Sequence, residues 1–89
     1  MRMTIDYAKK LVGTQERNIR KVDNVRIEYE GYEYRITYRG GFAAYVGIDR
    51  KQIGKRNFLF FGGVGAYDCW TAGQVLDKVY DLILKKTQS

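Results

Sequence analysis

The sequence contains no histidine and no proline, and its one cysteine is Cys69. Histidine is the usual general acid or base near neutral pH and the commonest metal ligand in proteins. A single cysteine cannot form an internal disulfide, and without a histidine to activate it Cys69 is a poor candidate for a catalytic nucleophile. We therefore expect a protein that is not an enzyme and that uses no metal ion and no cofactor.

Long apolar runs are missing as well. No stretch approaches the roughly 18 apolar residues of a membrane-spanning helix, and the N-terminus (MRMTIDYAKK) lacks the apolar core of a signal peptide. These absences predict no membrane partner and a cytoplasmic location in a bacterial or host cell. With 89 residues the chain has room for one small domain and not for two.

Positive charge is in excess. The chain has 16 lysine and arginine residues against 10 aspartate and glutamate residues, a formal net charge of +6. Residues 1–22 contribute six basic and two acidic residues, and residues 49–58 contribute four basic and one acidic residue. Clustered cations are typical of surfaces that contact phosphate groups. The two segments would form one patch if they share a side of the fold; if they lie apart, a protein partner is favoured.

Helical spacing of apolar residues begins after Thr4 and stops before Gly13. Threonine is a common N-cap and glycine a common C-terminal cap, so the pattern predicts a helix over residues 4–12. The following segment, residues 14–24 (TQERNIRKVDN), is mostly polar and predicts a loop or one further helical turn.

The last part of the chain has the clearest helix signal. Thr71 and Gln74 have the spacing of a capping box, and Trp70 lies where a hydrophobic staple would pack on Val75. Apolar residues then follow on one face, which predicts a helix over residues 71–86.

Between the two helices the apolar period changes to two, which is typical of strands with one buried face. The pattern predicts four strands, over about residues 25–30, 33–39, 42–48 and 57–61. Residues 57–61 (NFLFF) are apolar on both faces and predict a buried central strand. Four tyrosines of the first two strands share the apolar face and are expected to point into the core, the alternative being a platform on which bases stack: Tyr29, Tyr32, Tyr34 and Tyr38.

The turn between the first two strands could have two or four residues, and both lengths keep the apolar residues on one face. A two-residue turn places Glu28 opposite Glu33, whereas a four-residue turn places Glu28 opposite Arg35. Because facing opposite charges favour pairing by roughly a few tenths of a kcal/mol, the sequence favours the longer turn.

Together these elements predict a single small α+β domain. It has an N-terminal helix, an antiparallel sheet of three to four strands, and a C-terminal helix packed on one sheet face. The order of elements resembles that of double-stranded-RNA-binding domains, which carry a lysine cluster at the start of their second helix. Residues 68–72 (DCWTA) stand there in this chain, so we assign no family.

The leading functional hypothesis is a non-enzymatic binding protein that contacts a phosphate-bearing partner, above all DNA or RNA through the backbone. Two basic loops, at residues 17–21 and 50–56, would supply the cations Arg17, Arg20, Lys21, Arg50, Lys51, Lys55 and Arg56. Tyr45 has the parity of the solvent-facing side of its strand and could stack on a base. A glycine-rich connector is expected at residues 62–68, where the backbone amides of Gly62, Gly63 and Gly65 could hold an anion.

Two other functions fit the sequence. The chain could be an inhibitor or adaptor of the kind that phages and mobile elements encode, blocking a host nuclease, polymerase or defence system, because aromatic residues and arginine anchor protein interfaces. It could also sequester a small signalling nucleotide. Self-association through a strand edge is compatible with each of these functions.

Overall fold

The structure is a computed structural model that describes residues 4–40 and 43–88. Its elements, in chain order, are α1 (Ile5–Val12), a 3-10 helix (Ile19–Val22), β1 (Arg26–Tyr29), β2 (Tyr32–Arg39), β3 (Tyr45–Gln52), β4 (Leu59–Gly65) and α2 (Ala72–Gln88). The strands form one antiparallel sheet in the order β1-β2-β3-β4. The predicted α+β class is therefore confirmed. The bounds of β1, β2 and α2 differ from the predicted ones by one or two residues, as is usual at element ends.

Both helices begin at side-chain caps. In α1, Thr4 Oγ1 accepts a hydrogen bond from the backbone N–H of Tyr7 at 3.2 Å, and Gly13 ends the helix with a φ of 86°. Before α2, the N–H of Gln74 donates to Thr71 Oγ1 at 3.2 Å, and the N–H of Thr71 donates to Gln74 Oε1 at 3.0 Å. This reciprocal pair is the predicted capping box.

Trp70 does not act as the predicted staple. Its side chain is 79% exposed, whereas Val75 is fully buried in the core. The backbone N–H of Trp70 donates to Gln74 Oε1 at 2.7 Å, so the capping box already fixes the entry into α2 without an indole contact.

The turn between β1 and β2 has two residues, so the predicted four-residue turn is wrong. Tyr29 pairs directly with Tyr32. Glu30 and Gly31 both have positive φ angles, 52° and 81°, which is the conformation of the tight turn whose twist matches paired antiparallel strands.

The short turn sets Glu28 opposite Glu33, the like-charge pair that counted against it. Glu33 finds its partners elsewhere, because its carboxylate lies 3.5 Å from Arg26 Nη1 and 3.5 Å from Lys51 Nζ of β3. One partner, Arg26, lies diagonally across on β1, and the other comes from the third strand, which the comparison of the two turn lengths did not include.

The third strand lies later in the chain than predicted. It was expected over 42–48 and spans Tyr45–Gln52, while Phe42 lies outside the described residues. Residues 49–52, expected in a basic loop, extend the pairing with β2, since Asp49 faces Arg35 and Arg50 faces Tyr34.

The fourth strand is an edge strand and not the predicted buried centre of the sheet. It spans Leu59–Gly65 and not 57–61, so much of the expected glycine-rich connector belongs to the strand. Phe60 pairs with Asp49 on the face that no helix covers and is exposed, whereas Phe61 occupies a β-bulge and is buried in the core. Gly62 permits close packing of α2, because a Cβ at this position would lie 3.0 Å from Leu82 Cδ2.

Both helices pack on one face of the sheet. One core unites apolar side chains of β2 and β3 with those of α2, including Tyr34, Ile36, Val46, Ile48, Val75, Leu76, Val79 and Ile83. α1 packs beside α2 and next to β1. Tyr29, Tyr32 and Tyr38 lie on the same face and are partly buried against this core, as expected. The opposite face carries charged residues on β1, β2 and β3.

Candidate functional site

The two predicted basic segments lie at opposite ends of the sheet. The 3-10 helix precedes β1 and lies near the end of β2, where the N–H of Asn24 donates to the carbonyl of Ile36 at 2.8 Å. The second segment follows β3 at the other end, where the N–H of Ile53 donates to the carbonyl of Gly31 at 3.0 Å. Eight strand residues separate these ends, which corresponds to about 25 Å. The two segments therefore do not form one continuous patch, and their separation counts in favour of a protein partner.

The first segment uses much of its charge locally. Lys21 Nζ lies 3.1 Å from Glu16 Oε2, and the Arg20 guanidinium lies 6.0 Å from the centre of the Tyr38 ring. A hydrogen bond from the backbone N–H of Asn18, together with the Lys21 ammonium, lowers the pKa of the Glu16 carboxyl. The side chain of Arg17 is exposed. This end of the sheet therefore combines cations with a carboxylate that neutralises part of their charge.

At the other end, a groove of about 550 Å³ opens between the β3–β4 hairpin and the last turns of α2. We call it the basic groove. It is lined by the cationic side chains Arg50, Lys51, Lys55 and Lys86, by the aromatic rings Tyr32, Phe60 and Phe61, and by Gln52, Asn57 and Leu59. Among the described residues no carboxylate lines this groove. Three of these cations, Arg50, Lys55 and Lys86, form no ion pair within the described part of the chain, so the groove gathers uncompensated positive charge.

Arg50 is the most firmly positioned cation of the basic groove. Its guanidinium lies 4.3 Å from the centre of the Tyr32 ring and 4.8 Å from that of Phe61. Its Nη1 also donates to the Tyr34 hydroxyl at 3.4 Å. Stacking between two rings and a hydrogen bond to a third hold the guanidinium plane, so little rotamer freedom remains to be lost when an anion binds.

Arg50 and Lys51 are neighbours in sequence. Both were predicted in a loop, but the structure places both in β3. Because side chains alternate along a strand, Arg50 lies on the helix-covered face opposite Tyr34, while Lys51 lies opposite Glu33. Lys51 Nζ is 3.5 Å from the Glu33 carboxylate. Of the two, only Arg50 keeps its charge free of a carboxylate partner within the described residues.

Lys55, Arg56 and Lys86 complete this end of the molecule. Lys55 and Arg56 are exposed at the tip of the β3–β4 hairpin, where Gly54 turns the chain with a φ of 94°. Lys86 reaches from α2 across to β4: its ammonium lies 4.6 Å from the centre of the Phe61 ring and donates to the Phe61 carbonyl. The groove thus joins cations from a strand, a hairpin tip and a helix.

Tyr45 and the glycines lie away from the basic groove. Tyr45 is exposed, as predicted, but it pairs with Arg39 at the opposite end of the sheet. Gly62, Gly63 and Gly65 pair with β3 as part of β4, so they do not form the predicted anion-binding loop. Their amides belong to a strand and not to a concave turn.

A second cavity, of about 580 Å³, adjoins the basic groove on the side of the β1–β2 turn. It shares Arg50, Tyr32 and Lys86 and is also lined by Glu30. The Glu30 carboxylate makes this neighbouring cavity a less favourable place for an anion. Of the two cavities, the one on the hairpin side of Arg50 is therefore the more favourable for an anion.

The sequence prediction missed several residues of the basic groove. Lys86 belonged to the predicted C-terminal helix and was not named as a site residue, and Tyr32 was expected in the core or in a base-stacking platform. Arg50 carried a usable signal, because it continues the parity of Val46 and Ile48 and so belongs to the helix-covered face. The contribution of Lys86 had no local signal, since α2 and β3 meet only in the folded chain.

Within residues 4–40 and 43–88, neither helix is long and apolar enough to cross a membrane. The same residues contain no group of three or more cysteine, aspartate or glutamate side chains that could hold a metal ion. Comparisons with protein-family models, with curated proteins and with solved structures found no match. Fold and site together define a small α+β domain with a basic groove at one end of its sheet.

Proposed function

We propose that this protein is a binding protein without enzymatic activity, whose basic groove holds phosphate groups of a nucleic acid strand. The observation that carries the proposal is the lining of the groove. Four cationic side chains and no carboxylate of the described chain surround about 550 Å³, a volume in the range of small-ligand sites. Such a site favours an anion by charge and accommodates more than a single ion by size.

The guanidinium of Arg50 is the group best placed to bind a phosphate. Its planar fork matches two oxygens of a phosphate group, and the rings of Tyr32 and Phe61 already orient it. Lys55 and Lys86 are exposed on either side and can follow the ligand. A phosphate between these cations would exchange water for charge-assisted hydrogen bonds.

A strand fits this surface better than a lone phosphate. Arg56 follows Lys55 at the hairpin tip and extends the positive charge beyond the groove. Consecutive phosphates of a strand could therefore meet cations both inside and outside the cavity, and each neutralised phosphate adds a salt-dependent increment of affinity. The first basic segment is about 25 Å away and takes no part in this proposal.

The separation of the two basic segments also favours a second candidate function, binding to another protein. The specific observation is the set of exposed apolar side chains along β4 and just after it: Leu59, Phe60, Tyr67 and Trp70. Exposed aromatic side chains of this kind anchor protein interfaces.

The test is a salt titration of binding to fluorescent single-stranded DNA and RNA, measured by anisotropy. The full chain is compared with two double variants that each remove two positive charges, Lys55→Gln with Lys86→Gln in the groove and Arg17→Gln with Lys21→Gln at the other end. We expect the groove variant to bind about tenfold or more weakly, with a salt slope lower by about 0.7 for each lost phosphate contact. The affinity of the matched control should fall by less than about threefold, since the control changes only the electrostatic field of the protein as a whole.

Two results would overturn the proposal outright, and a third would replace the strand by a smaller ligand. One is the absence of salt-dependent binding of the unmodified chain to any of the oligonucleotides. The other is an equal loss in both double variants, which would assign the binding to net charge and not to the groove. Competition by a mononucleotide as strong as that by an oligonucleotide would indicate that the ligand is a small nucleotide and would equally exclude a strand.

A further inference from the structure

The outer edge of β4 is unprotected against pairing with another strand. β4 is one of the two edges of the sheet and is seven residues long. Residues 57–67 (NFLFFGGVGAY) contain no charged side chain. Natural proteins usually guard a sheet edge with charged residues, proline, shortness or a covering element, and this edge lacks the first two devices.

The other edge of the sheet shows these protective devices. β1 is four residues long, carries Arg26 and Glu28 and lies next to α1. Within one molecule, therefore, one edge is short, charged and flanked by a helix, while the other is long, uncharged and apolar. The contrast points to β4 as the edge that is used.

Large exposed apolar side chains lie at both ends of β4. Leu59 and Phe60, at its start, are 73% and 76% exposed, and Tyr67, just beyond its end, is 73% exposed. The Tyr67 ring rests on Gly65, with its Cε1 2.8 Å from the position of a Cβ there. Trp70 follows at the same end and is 79% exposed.

We propose that a second copy of this chain binds along β4, so that two sheets join as one through antiparallel β4 strands. A two-fold axis near Gly63 places residues 59 and 60 of each copy beside residues 66 and 67 of the other. The apolar residues at the start of one strand then cover the apolar residues at the end of the other. This self-complementarity is what a two-fold interface requires, and it is why the occupant is a second copy.

Area and charge both permit this pairing. From their exposed fractions, the four side chains offer on the order of 600 Å² per copy, close to the roughly 800 Å² per partner of a standard interface. Backbone hydrogen bonds of the joined strands add to that area. A chain of net charge +6 repels its own copy in general, but residues 57–67 carry no charge, and the Lys86 ammonium beside them is already held by the Phe61 carbonyl.

The test is the oligomeric state of the full chain, measured by sedimentation over a range of protein concentrations at low and physiological salt. We expect a dimer whose dissociation shifts to higher concentration in Phe60→Lys, because a lysine at an exposed edge position guards it against pairing. Leu11→Lys is the matched control: Leu11 is 57% exposed on α1, away from β4, and its variant should remain a dimer. Circular dichroism of each variant verifies that the fold is intact.

Trp70 provides an independent readout, because it is the one tryptophan of the chain. Quenching of its fluorescence by acrylamide should decrease as the dimer forms, and Phe60→Lys should restore full quenching. A monomer at every concentration would overturn the proposal, as would a dimer that persists unchanged in Phe60→Lys or one that Leu11→Lys dissociates equally well. Because Phe60 also lines the basic groove, Phe60→Lys is used only to test the oligomeric state. Nucleic acid binding is tested with the unmodified chain and the two lysine and arginine double variants, so the two proposals can fail separately.

Discussion

The two faces of the sheet are built from the same strands and are stabilised in different ways. On the helix-covered face, Ile36 and Ile48 pair across β2 and β3, and both are fully buried. One position along each strand, Arg35 and Asp49 pair on the opposite face, with Nη2 and Oδ2 3.2 Å apart and both side chains partly exposed. Because side chains alternate along a strand, a buried apolar pair on one face is followed, one residue further, by an ion pair on the other face.

The charged face has an aromatic cover of its own. The Phe58 ring centre lies 4.2 Å from the Arg35 guanidinium carbon, 5.3 Å from Lys51 Nζ and 5.9 Å from the Arg26 guanidinium carbon. This ring removes part of the water from the ion pairs beneath it, which strengthens them and also raises the cost of breaking them. We therefore expect substitutions on the helix-covered face to lower the free energy of unfolding strongly, and substitutions on the charged face to lower it moderately.

The largest effect is expected from a cavity on the helix-covered face. Ile36→Ala should lower the free energy of unfolding by about 2–5 kcal/mol, because a fully buried side chain loses both its transfer energy and its packing. Thr37→Ala, the next residue on the opposite face, is the matched control and should cost less than about 1 kcal/mol. Urea denaturation measures both. Equal losses would contradict the difference between the faces.

An intermediate effect is expected from the charged face. Asp49→Asn should cost about 1–2 kcal/mol, because Arg35 loses its carboxylate while its Nε is already buried without a hydrogen-bond partner in the described chain. Adding Arg35→Leu to Asp49→Asn should recover part of the loss, since no unpaired cation remains. Arg35→Leu alone completes the comparison. If the double variant loses as much unfolding free energy as the two single variants added together, the residues do not act as a pair.

A smaller effect should distinguish the two adjacent cations of β3. Arg50→Lys should cost about 1 kcal/mol, because lysine lacks the planar group that stacks on Tyr32 and Phe61. The reciprocal exchange, Lys51→Arg, should be close to neutral, since arginine can keep the pairing with Glu33. Thermal unfolding of the two variants provides the comparison, and a larger loss for Lys51→Arg would reverse our assignment of the faces.

The smallest effect is expected outside both faces, at the exposed pair of Asp68 and Lys78, whose Oδ1 and Nζ are 2.9 Å apart. The hydrogen bond from Lys78 lowers the pKa of the Asp68 carboxyl. Because the pKa is lowered, the pair stabilises the fold when the pH is above the ordinary aspartate pKa of about 3.9. This stabilisation is lost as the pH falls through the pKa that Asp68 has in the folded protein. The Tm of Asp68→Asn should therefore lie slightly below that of the unmodified chain at pH 7.

At low pH the two Tm values should converge. Thermal melts of both proteins over a series of pH values measure this trend. A difference in Tm that grows toward low pH would contradict the assigned sign of the effect.

The class of fold could be predicted from the sequence because its signals are local. The capping box of Thr71 and Gln74 and the period-two pattern of β2 involve only a few neighbouring residues. They can therefore be interpreted without knowledge of the tertiary contacts. The turn length could not be predicted in the same way. It depended on Glu33, and one of the two ion-pair partners of Glu33, Lys51, lies 18 positions later in the chain on β3.

The candidate site was predictable only in part. Arg50 and Lys55 could be identified as cations of one segment, but their face and their neighbours could not. The basic groove also needs Lys86 from α2 and Tyr32 from β2, which are distant in sequence. The sequence pattern of one segment does not indicate which side chains from a distant segment will contact it in the folded chain.

The sequence by itself determined the order of the elements and the apolar face of the first three strands, because alternation and capping are properties of neighbouring residues. Tertiary structure alone decided which strand became the edge and which cations came together. In the order β1-β2-β3-β4 each strand reverses direction, so the segment before β1 and the segment after β3 lie at opposite ends of the sheet. One net charge of +6 was thereby divided into two separate clusters, of which one meets α2 in a groove.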